Sequence, residues 1–289
     1  MDLTIVGCSG STSGPESPAS CYLVQAPYEG RTFSLVLDLG PGSFGALQRY
    51  VDASTVDAYA LSHLHPDHCL DLCGAYVAGR YSATGPWPAP SVYAPEGAGE
   101  RIARAYDVAP RAGRSREPGD SIGTWFDFRP WRPEQTIGPF RVATAAVDHP
   151  VDAYAIRVTE AGPGGGSLVF SGDTGPCEAL VELARGEDGA GVDLLLVEAA
   201  FLERPDNPAG VHLSGVQAAA AGERAGVTAV LLTHIPPWHE PERVLTEATP
   251  HFSGPTSLAV TGGVWTVGRS SPGPLPAGPP TLGNHDHPR

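Results

Sequence analysis

Lysine is absent from this sequence, so all 18 basic residues are arginines, set against 32 acidic residues. The net charge of −14 argues against binding along an extended nucleic-acid backbone, because such binding needs clusters of lysine and arginine. Apolar runs are also short, and none approaches the roughly 20 residues that a membrane-spanning helix requires. Neither an extended nucleic acid nor a membrane is therefore an expected partner.

Cysteine is sparse as well, with five residues that show no closely paired spacing. Residues Met1–Val6 run directly into a strand pattern and do not resemble a signal peptide. We therefore expect free thiols in a reducing cytoplasm. Cys69 and Cys73 are expected to be small buried hydrophobic residues one helical turn apart, with a role as soft metal ligands as the alternative.

The chain length of 289 residues, 41% of them hydrophobic, suffices for one large domain or two small ones with a sizeable core. Strands, a turn of potential ligands and a helix recur in each half of the chain, without a sequence repeat. This pattern predicts two stacked α/β halves that form a single domain over residues 1–268. Residues 269–289 are rich in proline and glycine and are predicted to form a disordered tail.

The segment His63-Leu64-His65-Pro66-Asp67-His68 carries three imidazoles and one carboxylate directly behind an apolar strand pattern at residues 58–61. Imidazole and carboxylate together suit zinc or a similar divalent ion. The alternative is a histidine-rich surface loop. Four ligand-capable side chains in six positions after a strand favour a metal site.

The pattern His-x-His-x-Asp-His after a strand resembles the signature of the metallo-β-lactamase superfamily. The resemblance implies an α/β fold, a four-layer αββα sandwich with one or two metal ions at the edge of its sheets. It also implies further ligands just past later strands, and His149, Asp173 and His234 stand in such positions. Taken alone, His149 could equally be a core histidine.

Seven nitrogen and oxygen ligands are too many for one tetrahedral zinc ion and suit two metal ions. Zinc is the expected metal, and manganese or iron would be held by the same donors. The resemblance also implies that Asp38, a carboxylate followed by a glycine turn, braces the metal turn from behind. The resemblance divides the ligands into a first trio (His63, His65, His149), a second trio (Asp67, His68, His234) and a bridging carboxylate (Asp173).

A catalytic arrangement follows from the same resemblance. Two ions about 3.5–4 Å apart would share a hydroxide that attacks phosphorus, and the leaving alkoxide would need a proton. His212-Leu213-Ser214 resembles the His-Ser/Thr motif of the ribonuclease Z branch, which makes His212 the candidate general acid. Glu198 resembles the carboxylate of that branch's His-Glu-Ala-Thr motif, with Val197 in place of its histidine, and is expected to orient His212. Asp67 is expected to be essential for catalysis, and a helix-capping role is the alternative for His212.

The short segment between His149 and Asp173 limits the class of substrate that is expected. Ribonuclease Z inserts a long basic arm around there that grips tRNA, whereas this segment is short and the chain is acidic. The chain up to about residue 267 resembles the actinobacterial atypical class II cyclic-nucleotide phosphodiesterases. The segments that carry this resemblance include Gly7-Cys8-Ser9-Gly10-Ser11 and Ser171-Gly172-Asp173-Thr174-Gly175. This resemblance implies a small anionic substrate, hydrolysis of 3′,5′-cyclic AMP to 5′-AMP, and cyclic GMP as a further substrate. Dimers are common in this branch, which leaves a homodimer open.

Three other functions remain open at this stage. The first is a ribonuclease Z-like enzyme that processes RNA 3′ ends, and the second is a lactone or thioester hydrolase that uses the same metals on a carbonyl group. The third is a non-catalytic protein that binds metal or senses nucleotides. The complete ligand set argues against this third function.

Substrate contacts are less well defined by the sequence. The loop Gly7–Pro15 is rich in small and hydroxyl-bearing residues and could bring backbone N–H groups close to an anion. Arg111–Arg116 forms a cationic patch that could steer an anionic substrate, with a solvated surface loop as the alternative. Residues 124–128 are predicted to form a strand. The candidates for stacking on a base are Tyr22, Trp87, Trp238 and His239.

Overall fold

The computed structural model describes residues 1–107, 121–162, 164–186 and 189–268. Within these residues, fourteen strands form two mixed seven-stranded sheets. The first sheet contains β1 (Asp2–Gly7), β2 (Cys21–Tyr28), β3 (Arg31–Leu37), β4 (Ala58–Ala60), β5 (Ser91–Ala94), β6 (Asp127–Pro130) and β14 (Val264–Thr266), in the order β14-β1-β2-β3-β4-β5-β6. The second contains β7 (Glu134–Ile137), β8 (Phe140–Ala146), β9 (Tyr154–Glu160), β10 (Ser167–Phe170), β11 (Leu194–Glu198), β12 (Ala229–Thr233) and β13 (Thr256–Leu258), in the order β13-β12-β11-β10-β9-β8-β7.

Helices cover the outer face of each sheet. The first sheet packs against α1 (Ser43–Leu47), α3 (Leu72–Arg80), α4 (Ala98–Tyr106) and α5 (Ile122–Trp125), while the short α2 (Pro66–Cys69) lies in the metal turn. The second sheet packs against α6 (Glu178–Arg185), α7 (Gly215–Ala225) and α8 (Pro241–Ala248). A third apolar cluster fills the space between the sheets. The predicted four-layer αββα sandwich is therefore confirmed.

The central strands of the second sheet show why this layering forms. Every residue of β11 and β12 is buried, which is typical of parallel strands that are covered on both faces. The predicted N-cap of the following helix is also confirmed, because the Ser214 side chain and Gln217 form a reciprocal capping box at the start of α7.

One edge of the sandwich collects the candidate ligands. β3 and β4 are parallel, and β10, β11 and β12 are parallel, so in each set the carboxyl ends lie together. The metal turn follows β4, Asp173 follows β10 and His234 follows β12. β8 also ends at this edge, because it runs antiparallel to β9, which in turn runs antiparallel to β10.

Two predicted features need correction. The strand predicted over residues 124–128 is wrong, because residues Ile122–Trp125 form α5 and the strand β6 begins only at Asp127. Trp125 packs its ring against Gly79 of α3, and this tertiary contact outweighs the β propensity of the aromatic residues. The arginine patch at 111–116 and the predicted tail at 269–289 lie outside the described residues.

Among the helices of the described residues, none combines the length and the apolar character needed to cross a bilayer.

Candidate metal centre

Three histidines form the first ligand cluster. His63 and His65 lie in the turn after β4, and His149 follows β8. The Nδ1 atom of His65 lies 3.1 Å from the Nε2 atom of His63 and 3.1 Å from the Nε2 atom of His149. Two nitrogens bound to one tetrahedral zinc ion would lie roughly 3.3 Å apart. The spacing therefore fits three imidazoles that share one ion.

The outer nitrogens of two of these rings fix which nitrogen faces the site. His149 Nδ1 donates to the Val211 carbonyl at 2.9 Å, and a carbonyl can only accept. The Ser62 hydroxyl donates to Asp38 and can therefore accept from His63 Nδ1 at 3.0 Å. The Nε2 lone pairs of His63 and His149 consequently point into the cluster, as metal binding requires.

Two carboxylates and two imidazoles form the second cluster, and all four residues are buried. His68 Nε2 lies 3.2 Å from Asp173 Oδ1 and 3.3 Å from Asp67 Oδ2, while His234 Nε2 lies 3.3 Å from Asp173 Oδ2. Within the described residues, His68 Nε2 and Asp173 Oδ1 are nevertheless buried and form no hydrogen bond. Buried polar atoms of this kind normally have partners, so the pair fits a cation-binding site.

Asp173 joins the two clusters. Besides its contacts with His68 and His234, its Oδ2 atom lies 3.7 Å from His63 Nε2 of the first cluster. A carboxylate has two oxygens and can serve two ions at once. The donor set therefore fits two metal ions, with Asp173 between them.

Asp38 braces the turn from behind. Its carboxylate accepts hydrogen bonds from His68 Nδ1 at 2.6 Å, from the Ser62 backbone N–H at 2.7 Å and from the Ser62 hydroxyl at 2.8 Å. Asp38 adopts a φ of 55°, which is rare outside glycine and persists only where surrounding contacts enforce it. The same carboxylate therefore orients His68 directly and His63 through Ser62.

His234 is held from two sides. Its Nδ1 atom lies 2.9 Å from the Ser20 hydroxyl, and its Nε2 atom accepts a hydrogen bond of 3.2 Å from the Ser11 backbone N–H. His234 also has a φ of 55°, and the other two non-glycine residues of this region with a positive φ, Ser11 and Asp38, both contact the second ligand cluster.

A third group, beside the bridging carboxylate, contains His212 and Glu198. His212 Nδ1 lies 2.9 Å from Glu198 Oε1 and 3.9 Å from Asp173 Oδ2. Glu198 is fully buried and also accepts from the backbone N–H groups of Thr174 and Ala200. The Phe201 ring packs against His212 at right angles, with 5.2 Å between the ring centroids. His212 is thus fixed in place by a carboxylate and an aromatic ring.

The pKa shifts divide the histidines of the site into candidate metal ligands and a candidate proton donor. Burial lowers the pKa of His63, His65 and His149, and it lowers the pKa of His234 to about 4, so these rings are neutral donors. Burial opposes protonation of His212 too, but the hydrogen bond to Glu198 and its charge raise the pKa of His212 to about 9. Glu198 therefore favours the protonated form of His212, which can donate a proton.

The buried acids and His68 follow the same electrostatics. Burial would raise the pKa of Asp173, but the histidines around it, His234 and His68 first, hold it well below its usual range. The pKa of His68 is raised, because the charges of Asp173 and Asp38 outweigh the effect of burial. The raised pKa of His68 reflects the negative charge that is concentrated in the second cluster, and such a charge suits a bound cation.

The base-stacking candidates are divided by the structure. Tyr22 is fully buried and its hydroxyl bonds to Thr233, so this prediction is wrong. The stacking role suggested for Trp87 is also wrong. This residue lines a small gap with Ser54 beside the amino end of β4, away from the metal edge. Trp238 is 64% exposed, and His239 lines a cavity of about 590 Å³ that adjoins Ser9 and Ile235.

Several contacts at the site were not predicted from the sequence. Ser20 and Ser62 hold the outer nitrogens of two histidines, and Phe201 packs on His212. Ser62 directly precedes His63, which is the one local signal available. Cys69 is buried and donates its thiol to the His65 carbonyl, so its contact is with the backbone of the metal turn.

Comparison with known proteins agrees with this architecture. An uncharacterized protein of Mycobacterium leprae is 43% identical over 267 residues, which cover 92% of this chain and 88% of that protein. A ribonuclease Z of Mycolicibacterium paratuberculosis is 30% identical over 82% of this chain and 86% of its own length. The crystal structure of the metallo-β-lactamase fold protein YhfI from Bacillus subtilis aligns with a TM-score of 0.75 at 26% identity, over 92% of this chain and 99% of that one. The family model described as Beta-lactamase superfamily domain matches residues 35–235, and this chain belongs to the metallo-β-lactamase superfamily of metal-dependent hydrolases.

Proposed function

We propose that this protein is a phosphodiesterase with two metal ions, which hydrolyses 3′,5′-cyclic nucleotides, cyclic AMP to 5′-AMP and cyclic GMP as a further substrate. The observation that carries the proposal is His212, which Glu198 holds beside the carboxylate that joins the two ligand clusters. Two divalent ions bound there would supply a water of lowered pKa and neutralise charge on phosphoryl oxygens. The imidazole and carboxylate donors suit zinc, and manganese or iron would fit the same set.

His212 has the attributes of a general acid in this reaction. The alkoxide that leaves when a phosphodiester bond breaks must take up a proton. Glu198 raises the pKa of His212, which favours the protonated form, and it fixes the ring through Nδ1, which leaves Nε2 to deliver the proton. Glu198 therefore acts as a positioning residue, and the Phe201 ring restricts the imidazole from the other side.

A small substrate is favoured by the shape and charge of the chain. The segment between His149 and Asp173, residues 150–172, consists largely of β9 and β10 and is too short to include a long basic arm. The net charge of −14 would repel an RNA backbone outside the metal site. The cavity of about 590 Å³ is lined in part by Ile235, which follows the candidate ligand His234 in the chain, and it has room for a nucleoside. The free cysteines fit a reducing cytoplasm as the compartment.

The deciding experiment is a turnover panel with the metal-replete protein. The panel contains cyclic AMP, cyclic GMP, bis-p-nitrophenyl phosphate, a precursor tRNA and a simple lactone. We expect 5′-AMP from cyclic AMP, lost on chelation and in Asp67→Ala. Hydrolysis of the lactone with no phosphodiester cleaved would overturn the proposal.

Ribonuclease Z activity is the second candidate, favoured by the 30% identity to the mycobacterial ribonuclease Z. It would appear in the same panel as cleavage of the precursor tRNA. Its affinity for RNA would fall steeply with salt concentration, because phosphate contacts release counterions. Efficient cleavage of precursor tRNA with no turnover of cyclic nucleotides would select this function instead.

A further inference from the structure

The loop that follows β1 reaches the second ligand cluster through one backbone group. The Ser11 N–H donates to His234 Nε2 at 3.2 Å, and this nitrogen is the atom that His234 offers to a metal. Nε2 of a neutral imidazole has one lone pair, which cannot serve a metal ion and an N–H donor together. In the metal-loaded protein, the Ser11 N–H therefore needs a different acceptor.

This N–H cannot turn away easily, because the loop is fixed on both sides. Gly10 donates its backbone N–H to the Ile235 carbonyl at 3.1 Å, and the Ser9 hydroxyl donates to the Thr12 carbonyl at 2.7 Å. A Cβ atom at Gly10 would lie 2.1 Å from the His234 carbonyl oxygen, so the loop is pressed against the ligand's own backbone. Ser11 itself has a φ of 59°, an uncommon value for a residue with a side chain.

We propose that the Ser11 backbone N–H binds a phosphoryl oxygen of the substrate, an inference that rests on the phosphodiesterase function proposed above. A phosphoryl oxygen is an anionic acceptor, and such an oxygen beside the second cluster lies within reach of a donor that already contacts His234 Nε2. Hydrogen bonds from backbone N–H groups to anions are stronger than those between neutral groups. The loop thus supplies a fixed donor to a substrate group that must be held during bond cleavage.

The test replaces the amide between Gly10 and Ser11 by an ester, which removes the N–H and keeps the side chain. Cys21 permits this chemistry, because a synthetic thioester of residues 1–20 can be ligated to recombinant residues 21–289 to give the full chain. The same ligation with an all-amide peptide is the first control. An ester at the exposed Glu16 is the second, since it carries the same chemical change away from the ligand cluster.

The measurements are metal content and the affinity for inorganic phosphate, both made on metal-replete protein. We expect the Ser11 ester to retain two ions per chain and to bind phosphate roughly 10- to 100-fold more weakly than both controls, as for the loss of a hydrogen bond to a charged group. Unchanged phosphate affinity would overturn the inference, and so would loss of a metal ion, because the N–H would then act only on His234. The result does not depend on which phosphodiester is cleaved, so failure to hydrolyse cyclic nucleotides would overturn the proposed function alone.

Discussion

His212 is the side chain at which metal binding and proton transfer can be separated experimentally. Its Nδ1 atom is occupied by Glu198, and Asp173 Oδ2 of the second ligand cluster lies 3.9 Å from it. We expect His212→Ala to lower kcat by about 10²- to 10⁴-fold, the usual contribution of a general acid, while both metal ions stay bound. Turnover and metal analysis by mass spectrometry on the same preparation check this expectation.

The matched control for that variant is His251→Ala, which removes an exposed histidine outside the site. It should leave both turnover and metal content unchanged. Loss of a metal ion in His212→Ala would mean that His212 is a ligand, and unchanged turnover would mean that it only supports the helix behind it.

The Glu198 carboxylate sets the pH range over which His212 can donate a proton. The pKa of His212 is raised to about 9, so the donor form is present below that pH and is lost above it. Glu198→Gln removes the charge that raises this pKa, and the alkaline limb of the kcat profile should therefore move to lower pH. Bound cations also lower this pKa by repulsion, so both proteins are measured at full metal occupancy. An alkaline limb at the same pH in both proteins would show that Glu198 does not control the pKa of His212.

A substitution at Asp38 can test whether a residue that orients the candidate ligands controls metal affinity. It holds His68 at 2.6 Å and reaches His63 through Ser62. We expect Asp38→Asn to weaken metal binding by about 10- to 100-fold, because second-layer partners of metal ligands orient them and increase their basicity. Competition with a chelator measures the affinity, and Asp206→Asn, an exposed acid, serves as the control. Equal affinities in the two variants would contradict this role.

At the scale of elements, the turn after β3 and the metal turn after β4 are packed without free space. A Cβ atom at Gly40 would lie 1.9 Å from the Asp67 carbonyl oxygen and 2.7 Å from Ala19 Cβ. We expect Gly40→Ala to lower the free energy of unfolding by about 1–3 kcal/mol, and to reduce metal occupancy as the turn is displaced.

Gly45→Ala is the comparison for this prediction, because a Cβ atom there would meet nothing within 4 Å on the exposed side of α1. Alanine is the better helix former, so this variant should be neutral or more stable by up to about 1 kcal/mol. Denaturant unfolding of both variants gives the two values. Similar stabilities would show that the two turns can move apart.

The elements themselves could be read from the sequence where their pattern is regular. The buried run of β11 and the capping residues of α7 carry local signals of strand and helix. Residues 122–130 do not, because their helix and their strand depend on how Trp125 packs against Gly79. A contact between segments that are distant in sequence leaves no local pattern.

At the scale of the whole molecule, the metal clusters connect the two halves of the sandwich. The turn after β4 belongs to the first sheet, whereas His149, Asp173 and His234 follow strands of the second. Metal ions that bind only the folded protein stabilise it by about 2.7 kcal/mol when their concentration is 100 times Kd. We therefore expect zinc to raise the Tm of the stripped protein by roughly 4–5 °C for each ion bound.

The control for that measurement is His149→Ala, which removes one link between the halves and should reduce the rise. Calorimetry on the stripped and reloaded proteins gives the comparison. A Tm that does not respond to zinc would contradict a metal site shared by the two sheets.

The candidate ligands and the fold class could be predicted from the sequence, because the pattern from His63 to His68 resembles that of a known superfamily and every later candidate stands just past a recognisable strand. The assembly of those ligands depends on the topology of the two sheets, which brings the carboxyl ends of distant strands to one edge. The groups that hold the histidine rings, Ser20, Ser62 and the Ser11 N–H, likewise become visible only in three dimensions. A hydrogen bond between residues far apart in the chain has no spacing rule, whereas ligand type and strand pattern are properties of neighbouring residues.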